Sequence, residues 1–264
     1  MATNNQKPTT DDRRPTTDGR LPNKVEILGC NVDKIDMDET LQKIGDFIQS
    51  GNPHHIITLN AEIIYKAQSD PKLKTIINEA DLVTPDGSGV VWASKYLNSP
   101  MPERVTGIDL TQNLAELASK KGWTLYLYGG APSVAEVAAQ NLQIKHPELK
   151  IAGTCHGYIT EAEEQNLLKD ITEKRPDILL VALGAPKQEF WIKKHQKTLQ
   201  TSVCIGVGGS LDVIAGRVKR APVFFQRAGL EWLYRLIKEP HRIGRMMALP
   251  KFAILVRLKG KGQK

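Results

Sequence analysis

Cysteine is scarce in this 264-residue chain, and the three present, Cys30, Cys155 and Cys204, form an odd, widely spaced set inside apolar segments. Neither a disulfide framework nor a zinc site fits such spacing, so the sequence predicts reduced cysteines in the core. Long apolar runs are missing as well. Nothing approaches the roughly 18 residues that cross a bilayer, and the tail stretch from Phe252 to Val256 is bounded by Lys251 and Arg257. A transmembrane span is therefore not expected. The first 22 residues lack periodicity and almost all large apolar side chains. Without the apolar heart or the cleavage site of a secretion signal they predict a cytoplasmic protein, and with too little apolar surface to offset ordering entropy they predict disorder over 1–22.

What is abundant is positive charge, and it is concentrated. The formal net charge is +7, yet residues 217–264 alone carry thirteen Lys and Arg against Glu231 and Glu239, leaving 23 basic and 27 acidic residues in the rest. An ordinary soluble body over 23–216 is thus joined to a basic appendage over 217–264 that should seek an anion. The candidates are anionic lipid, nucleic acid and diphosphate. Leu230, Leu233, Tyr234 and Ile237 form an apolar stripe opposed by Arg227, Arg235, Lys238, Arg242 and Arg245, with Pro240 and Pro250 expected to divide the helices into short pieces. That pattern suits a membrane surface, although a helix packed on its own domain would carry it too.

The chain has 41% apolar residues, enough for a sizeable core. From Val25 onward short β-rich runs alternate with helical patterns, which predicts a doubly wound, mostly parallel α/β fold of Rossmann-like type. The strands are expected at Val25–Leu28, His55–Leu59, Leu82–Thr84, Thr124–Tyr128, Ile151–Cys155, Ile178–Leu183 and Val203–Val207. Ligands in such sheets bind beyond the carboxyl ends of strands. Six of these ends run into polar or glycine-rich turns, containing Asn60, Asp86, Gly130, Tyr158, Gly184 and Gly208. Glycine permits close backbone approach and a following helix contributes a positive end, so phosphate or diphosphate is the expected ligand, although any single glycine could simply form a tight turn.

Three motifs bear on chemistry. Asp36-Met37-Asp38 has the form of a metal-holding Asp-x-Asp, but Asp36 with Glu39 ahead of Leu41, Ile44 and Ile48 reads better as a capping box, and no metal is expected. Gly206-Val207-Gly208 has Leu211 where a dinucleotide fingerprint needs its third glycine, which disfavours a nicotinamide enzyme. Asp86 follows a strand in a Pro-Asp-Gly turn. Asp often merely forms such turns, but a partly desolvated carboxylate there could take a proton from a sugar hydroxyl.

Taken in order, Thr58-x-Asn60, Pro85-Asp86-Gly87-x-Gly89, Arg104-x-x-Gly107-x-Asp109, Gly184-x-Pro186-x-Gln188-Glu189, Gly206-Val207-Gly208-x-x-x-Asp212-x-x-Ala215-Gly216, Arg220-Ala221-Pro222 and Gly229-Leu230-Glu231-Trp232-x-x-Arg235-Leu236 resemble glycosyltransferase family 26, the WecG/TagA/CpsF type, over about Val25 to Arg257. The resemblance implies an inverting transfer of a sugar, N-acetylmannosamine favoured, from a UDP donor to a polyprenyl-diphosphate-linked acceptor, an early step toward a cell-surface polymer. UDP-glucose is the alternative donor. It implies Asp86 as general base, Thr58, Asn60 and Gln188 placing donor or acceptor, and Tyr158 and Asp212 holding uridine beside Gly130, Gly184 and Gly208. Arg104, Arg235, Arg242 and Arg245 would neutralise diphosphate in place of a metal. The enzyme would need no cofactor, would work at the inner face of the plasma membrane, and could be a homo-oligomer. The rival class, a nucleic-acid-binding α/β module, rests on the basic tail alone. Trp232 and Tyr234 lie beside Leu233 in an apolar stripe rather than a base-stacking platform, so no nucleic-acid partner is expected.

Overall fold

The computed structural model describes residues 23–238, 240 and 243–259. The segment 1–22 and Arg242 lie outside the described residues.

The chain opens with a hairpin, β1 (Lys24–Ile27) and β2 (Cys30–Asp33), paired antiparallel from Lys24 opposite Asp33 to Ile27 opposite Cys30. Its two-residue turn holds Leu28 at φ 54° and Gly29 at φ 80°, the left-handed pair that matches strand twist. The first expected strand therefore exists but does not join the parallel sheet. Its short partner, Cys-Asn-Val-Asp, carries too little alternation to be read as a strand. The buried Asp33 ties the hairpin to the body by accepting from Val83 N at 2.8 Å.

The other six strands are β3 (His54–Leu59), β4 (Leu82–Pro85), β5 (Thr124–Gly129), β6 (Lys150–Cys155), β7 (Ile178–Ala182) and β8 (Val203–Gly206). They form one sheet in the order β4-β3-β8-β7-β5-β6 with every neighbouring pair parallel. Side chains alternate across it. Ile56, Leu125, Leu127, Leu180 and Ile205 face α1 (Met37–Ser50), α5 (Gly107–Lys121), α6 (Val134–Lys145) and α9 (Ser210–Ile214). Ile57, Leu59 and Val83 face α2 (Ala61–Lys66), α3 (Pro71–Glu79) and α4 (Ser88–Tyr96), while Tyr126, Leu179 and Val181 face α7 (Glu161–Lys174) and α8 (Lys187–Leu199). Burial on both faces explains the near-continuous apolar runs. The doubly wound α/β expectation holds. The β5 connection runs outward to β6 and that of β7 runs the opposite way to β8, so the strand order reverses between β5 and β7, where such folds open a crevice.

The capping box is present at α1: Asp36 Oδ1 accepts from Glu39 N at 2.9 Å, and Glu39 Oε2 accepts from Asp36 N at 3.1 Å. Both side chains are thereby committed to the helix start. Cys30 and Cys204 are buried and Cys155 half-buried, all three as free thiols.

The C-terminal segment departs from expectation. It forms α10 (Val223–Arg227), α11 (Glu231–Lys238), α12 (Ile243–Met246) and α13 (Ala248–Lys259). Pro250 stands in the first turn of α13, where its missing N–H costs no hydrogen bond, and so starts a helix instead of dividing one. Phe252 and Val256 of α13 are buried with Ile63, Ile64 and Val90. A boundary at residue 216 therefore does not coincide with a packing boundary, and an independently folding body over 23–216 would lose part of its core. Phe252→Ala should lower unfolding free energy by about 3 to 5 kcal/mol, the range for buried aromatic truncation. Denaturant unfolding checks this, and a loss under about 1 kcal/mol would return α13 to the status of a detachable tail.

Candidate active site

The carboxyl ends of the parallel strands open into a cavity of about 720 Å³. Glycines shape its floor. Gly129 sits at φ +128° with Ala182 O only 2.4 Å from where a Cβ would stand, and Gly130 at φ +73° would drive a Cβ into Val134. Only glycine permits this approach of the β5 turn to β7. The helices α4, α5 and α8 all begin at the cavity, with Gly87, Gly107 and Lys187 in its wall. Three N-termini converge there, each bringing the positive end of a helix to the cavity, an arrangement suited to an anion.

Asp86 stands among them. Its backbone N–H donates to Leu59 O at 2.9 Å, and its Oδ2 accepts a long bond of 3.3 Å from Gly107 N at the start of α5. Burial pushes its carboxyl up to about 6, against the opposing pull of that N–H and of Arg235 and Arg104. A carboxylate so tuned stays ionised at neutral pH while keeping real basicity.

Of the residues read as site residues, Thr58, Asn60, Asp86, Arg104, Gly130, Tyr158, Gly184, Gln188, Gly208, Asp212, Arg235 and Arg245 all line this cavity. Arg242 lies outside the described residues. Several of these side chains already have structural work. Thr58 Oγ1 donates to Gly206 O at 2.8 Å, and Asn60 Oδ1 accepts from Ile63 N at 3.0 Å as the N-cap of α2. Gln188 Oε1 accepts from Gly208 N at 3.1 Å. Tyr158 is 76% exposed, whereas Trp191, also in the cavity lining, is buried.

The arginines are not all available. Arg104 Nη1 donates to Glu231 Oε2 at 2.7 Å. Arg220 donates to both oxygens of Asp109, at 2.6 and 2.7 Å, and its Nε lies 3.5 Å from Glu231. Arg245 Nε donates to Glu62 Oε1 at 2.9 Å, where Lys66 also donates at 2.7 Å. Both cations hold the Glu62 carboxyl below the usual range although burial opposes them. Among the described lining residues, Arg235 and Lys187 have no carboxylate partner at hydrogen-bonding distance. Asp109, Arg220, Glu62 and Glu231 thus carry the charge organisation of the site without having been assigned a role from sequence. Asp109 and Arg220 belong to the quoted motifs, but a pairing across 111 residues leaves no periodic signal. Among the described residues no group of three His, Cys, Asp or Glu side chains is arranged to hold a metal.

The model of the "Glycosyl transferase WecG/TagA/CpsF family" matches residues 25–264. A Bacillus spizizenii protein named N-acetylglucosaminyldiphosphoundecaprenol N-acetyl-beta-D-mannosaminyltransferase is 39% identical over 201 residues, covering 76% of this chain and 77% of the relative. A Staphylococcus aureus (strain MW2) protein of the same name is 38% identical over 231 residues, covering 87% of this chain and 90% of the relative.

The raised folded-state pKa of Asp86 has a defined sign for stability. Whatever stability its protonated form confers is fully present below the ordinary carboxylate pKa and is lost as pH rises through about 6. Asp86→Asn removes that loss. The variant should therefore be more stable than wild type at pH 8, with the difference vanishing near pH 4, as thermal unfolding at both pH values will measure. A difference independent of pH would mean that Asp86 is not desolvated.

Proposed function

Because the chain belongs to the WecG/TagA/CpsF glycosyl transferase family, with the family model spanning residues 25–264, we propose that it transfers N-acetylmannosamine from a UDP donor to N-acetylglucosamine carried on a polyprenyl diphosphate. The names of the Bacillus and Staphylococcus relatives support this acceptor and this sugar. The observation that carries the chemistry is Asp86, a partly desolvated carboxylate in a cavity entered by three helix N-termini. Asp86 takes the proton of the acceptor hydroxyl as its oxygen attacks the anomeric carbon. The bond from that carbon to the β-phosphate oxygen breaks, UDP leaves with the electron pair, and the anomeric centre inverts.

The leaving diphosphate needs positive charge. Arg235 supplies it directly, and Arg104 and Arg245 supply it by exchanging Glu231 and Glu62 for phosphate oxygens; Arg242, outside the described residues, is assigned the same role from sequence alone. Such a set substitutes for a metal ion. Tyr158 and Asp212 hold the uridine, with Gly130, Gly184 and Gly208 giving the backbone room, and Thr58, Asn60 and Gln188 border the sugars.

The acceptor chain calls for a membrane surface, and the proposal sets the enzyme peripherally on the inner face of the plasma membrane. Among the described residues no helix is long and apolar enough to cross a bilayer. Val223, Phe224, Ile237, Ile243, Ile254 and Leu258 are exposed beside the exposed Arg227, Lys238, Lys251 and Arg257, the combination that binds anionic lipid.

A screen of UDP-sugars with a short-chain lipid-diphosphate acceptor tests the reading. UDP release should be greatest with UDP-N-acetylmannosamine and should persist in EDTA. Asp86→Ala should slow it by about 10² to 10⁴ while UDP binding stays within a few-fold of wild type. Release with no UDP-sugar, or full loss in EDTA restored by magnesium, would contradict the proposal.

A further inference from the structure

One buried carboxyl remains without a role. Glu189, in the first turn of α8, is 0% exposed, and its Oε2 has no hydrogen-bond partner among the described residues. An orphaned buried polar atom detracts from stability, and an apolar side chain of similar size would pack there at less cost. Burial pushes the carboxyl above its usual range. Its other oxygen has a definite function: Glu189 Oε1 accepts from Gln188 Nε2 at 2.9 Å.

The Gln188 amide is nearly symmetric in shape, and its two orientations exchange a donor for an acceptor. With Nε2 turned to Glu189, Oε1 faces Gly208 and accepts its N–H at 3.1 Å. Turned over, the amide would present a donor to that N–H and leave both unsatisfied. The fit is close, since a Cβ on Gly206 would stand 2.6 Å from Gln188 Nε2. The same Gly206 carbonyl accepts from Thr58 Oγ1 at 2.8 Å. The turn after β8, which leads into α9 and Asp212, is therefore held from one side by Thr58 and from the other by Gln188.

We infer that Glu189 is a positioning residue for the nucleotide side of the cavity, selecting the Gln188 amide orientation that holds the Gly208 turn. The inference rests on the UDP-sugar reading above and goes beyond it in assigning work to a side chain that touches no substrate.

The test uses the full chain, UDP binding by calorimetry and thermal unfolding. Glu189→Leu removes the acceptor at similar volume and should weaken UDP binding about tenfold, the equivalent of one hydrogen bond, while a cooperative transition persists. Glu189→Gln keeps an acceptor oxygen and should restore affinity to within about twofold. In a Gln188→Ala background Glu189→Leu should have no further effect, because its action passes through the missing amide. Wild-type affinity in the Leu variant, failure of Gln to rescue, or an undiminished Leu effect in the Gln188→Ala background would each overturn the assignment. So would a Leu variant that fails to fold, since Glu189 would then be serving the core. A wild-type chain with no affinity for UDP would instead defeat the UDP-sugar reading itself.

Discussion

Arg220 meets Asp109 through two parallel hydrogen bonds, and Glu231 lies between Arg220 and Arg104. These four side chains, none of them fully exposed, join the C-terminal segment to the start of α5 and to the loop that precedes it. Thr106 completes the joint by donating to Asp109 Oδ2 at 2.6 Å while capping the same helix. Two cations and two carboxylates balance, which offsets the desolvation that makes partly buried ions expensive, and the bidentate geometry fixes direction as well as distance. With this joint in place, Gly229, Glu231, Trp232 and Arg235 form one wall of the cavity. Ser88 Oγ reinforces it by donating to Gly229 O at 2.8 Å.

The wall and Asp86 depend on each other. Desolvation is the largest influence on the Asp86 carboxyl, and Arg235 and Glu231 both act on it electrostatically from α11. Removing the C-terminal segment would therefore admit water to the carboxylate as well as withdraw a cation. The strong positive charge of the last 48 residues reaches the cavity in a moderated form, because Arg220 and Arg245 arrive already paired. A diphosphate entering the cavity, as proposed, would have to compete with Glu231 and Glu62 for Arg104 and Arg245. Only groups of stronger negative charge would displace those carboxylates, which favours a diphosphate over a neutral sugar as the group that engages them.

Much of this was legible in the sequence where the signal is local. Six sheet strands were read within one or two residues, because burial on both faces writes apolar runs bounded by turns. The turn residues at their carboxyl ends, including Asp86, Gly130 and Gly208, line one cavity as the strand-end rule expects. The capping box over Asp36 and Glu39 was also visible, since its two members are three residues apart. Illegible features were those set by partners distant in sequence. The strand β2 is too short to announce itself, and β1 left the sheet to pair with it. The helix α13 reads as part of a basic surface element because it belongs to the strongly basic last 48 residues and carries Lys251, Arg257 and Lys259, while only tertiary contact reveals that Phe252 and Val256 pack with Ile63 and Ile64. The pairing of Arg104 with Glu231 spans 127 residues, so the arginines read as free cations until the fold brought carboxylates to two of them.

The central claim is that the ion-paired joint holds the C-terminal segment as a wall over Asp86. Hydrogen exchange on full-length Arg220→Met tests it most directly. The account predicts exchange faster by on the order of tenfold in α10 and α11, unchanged protection in β3, β7 and β8, and an Asp86 pKa falling from about 6 toward the ordinary carboxylate range. Wild-type exchange in α10 and α11 together with an unmoved Asp86 pKa would contradict it.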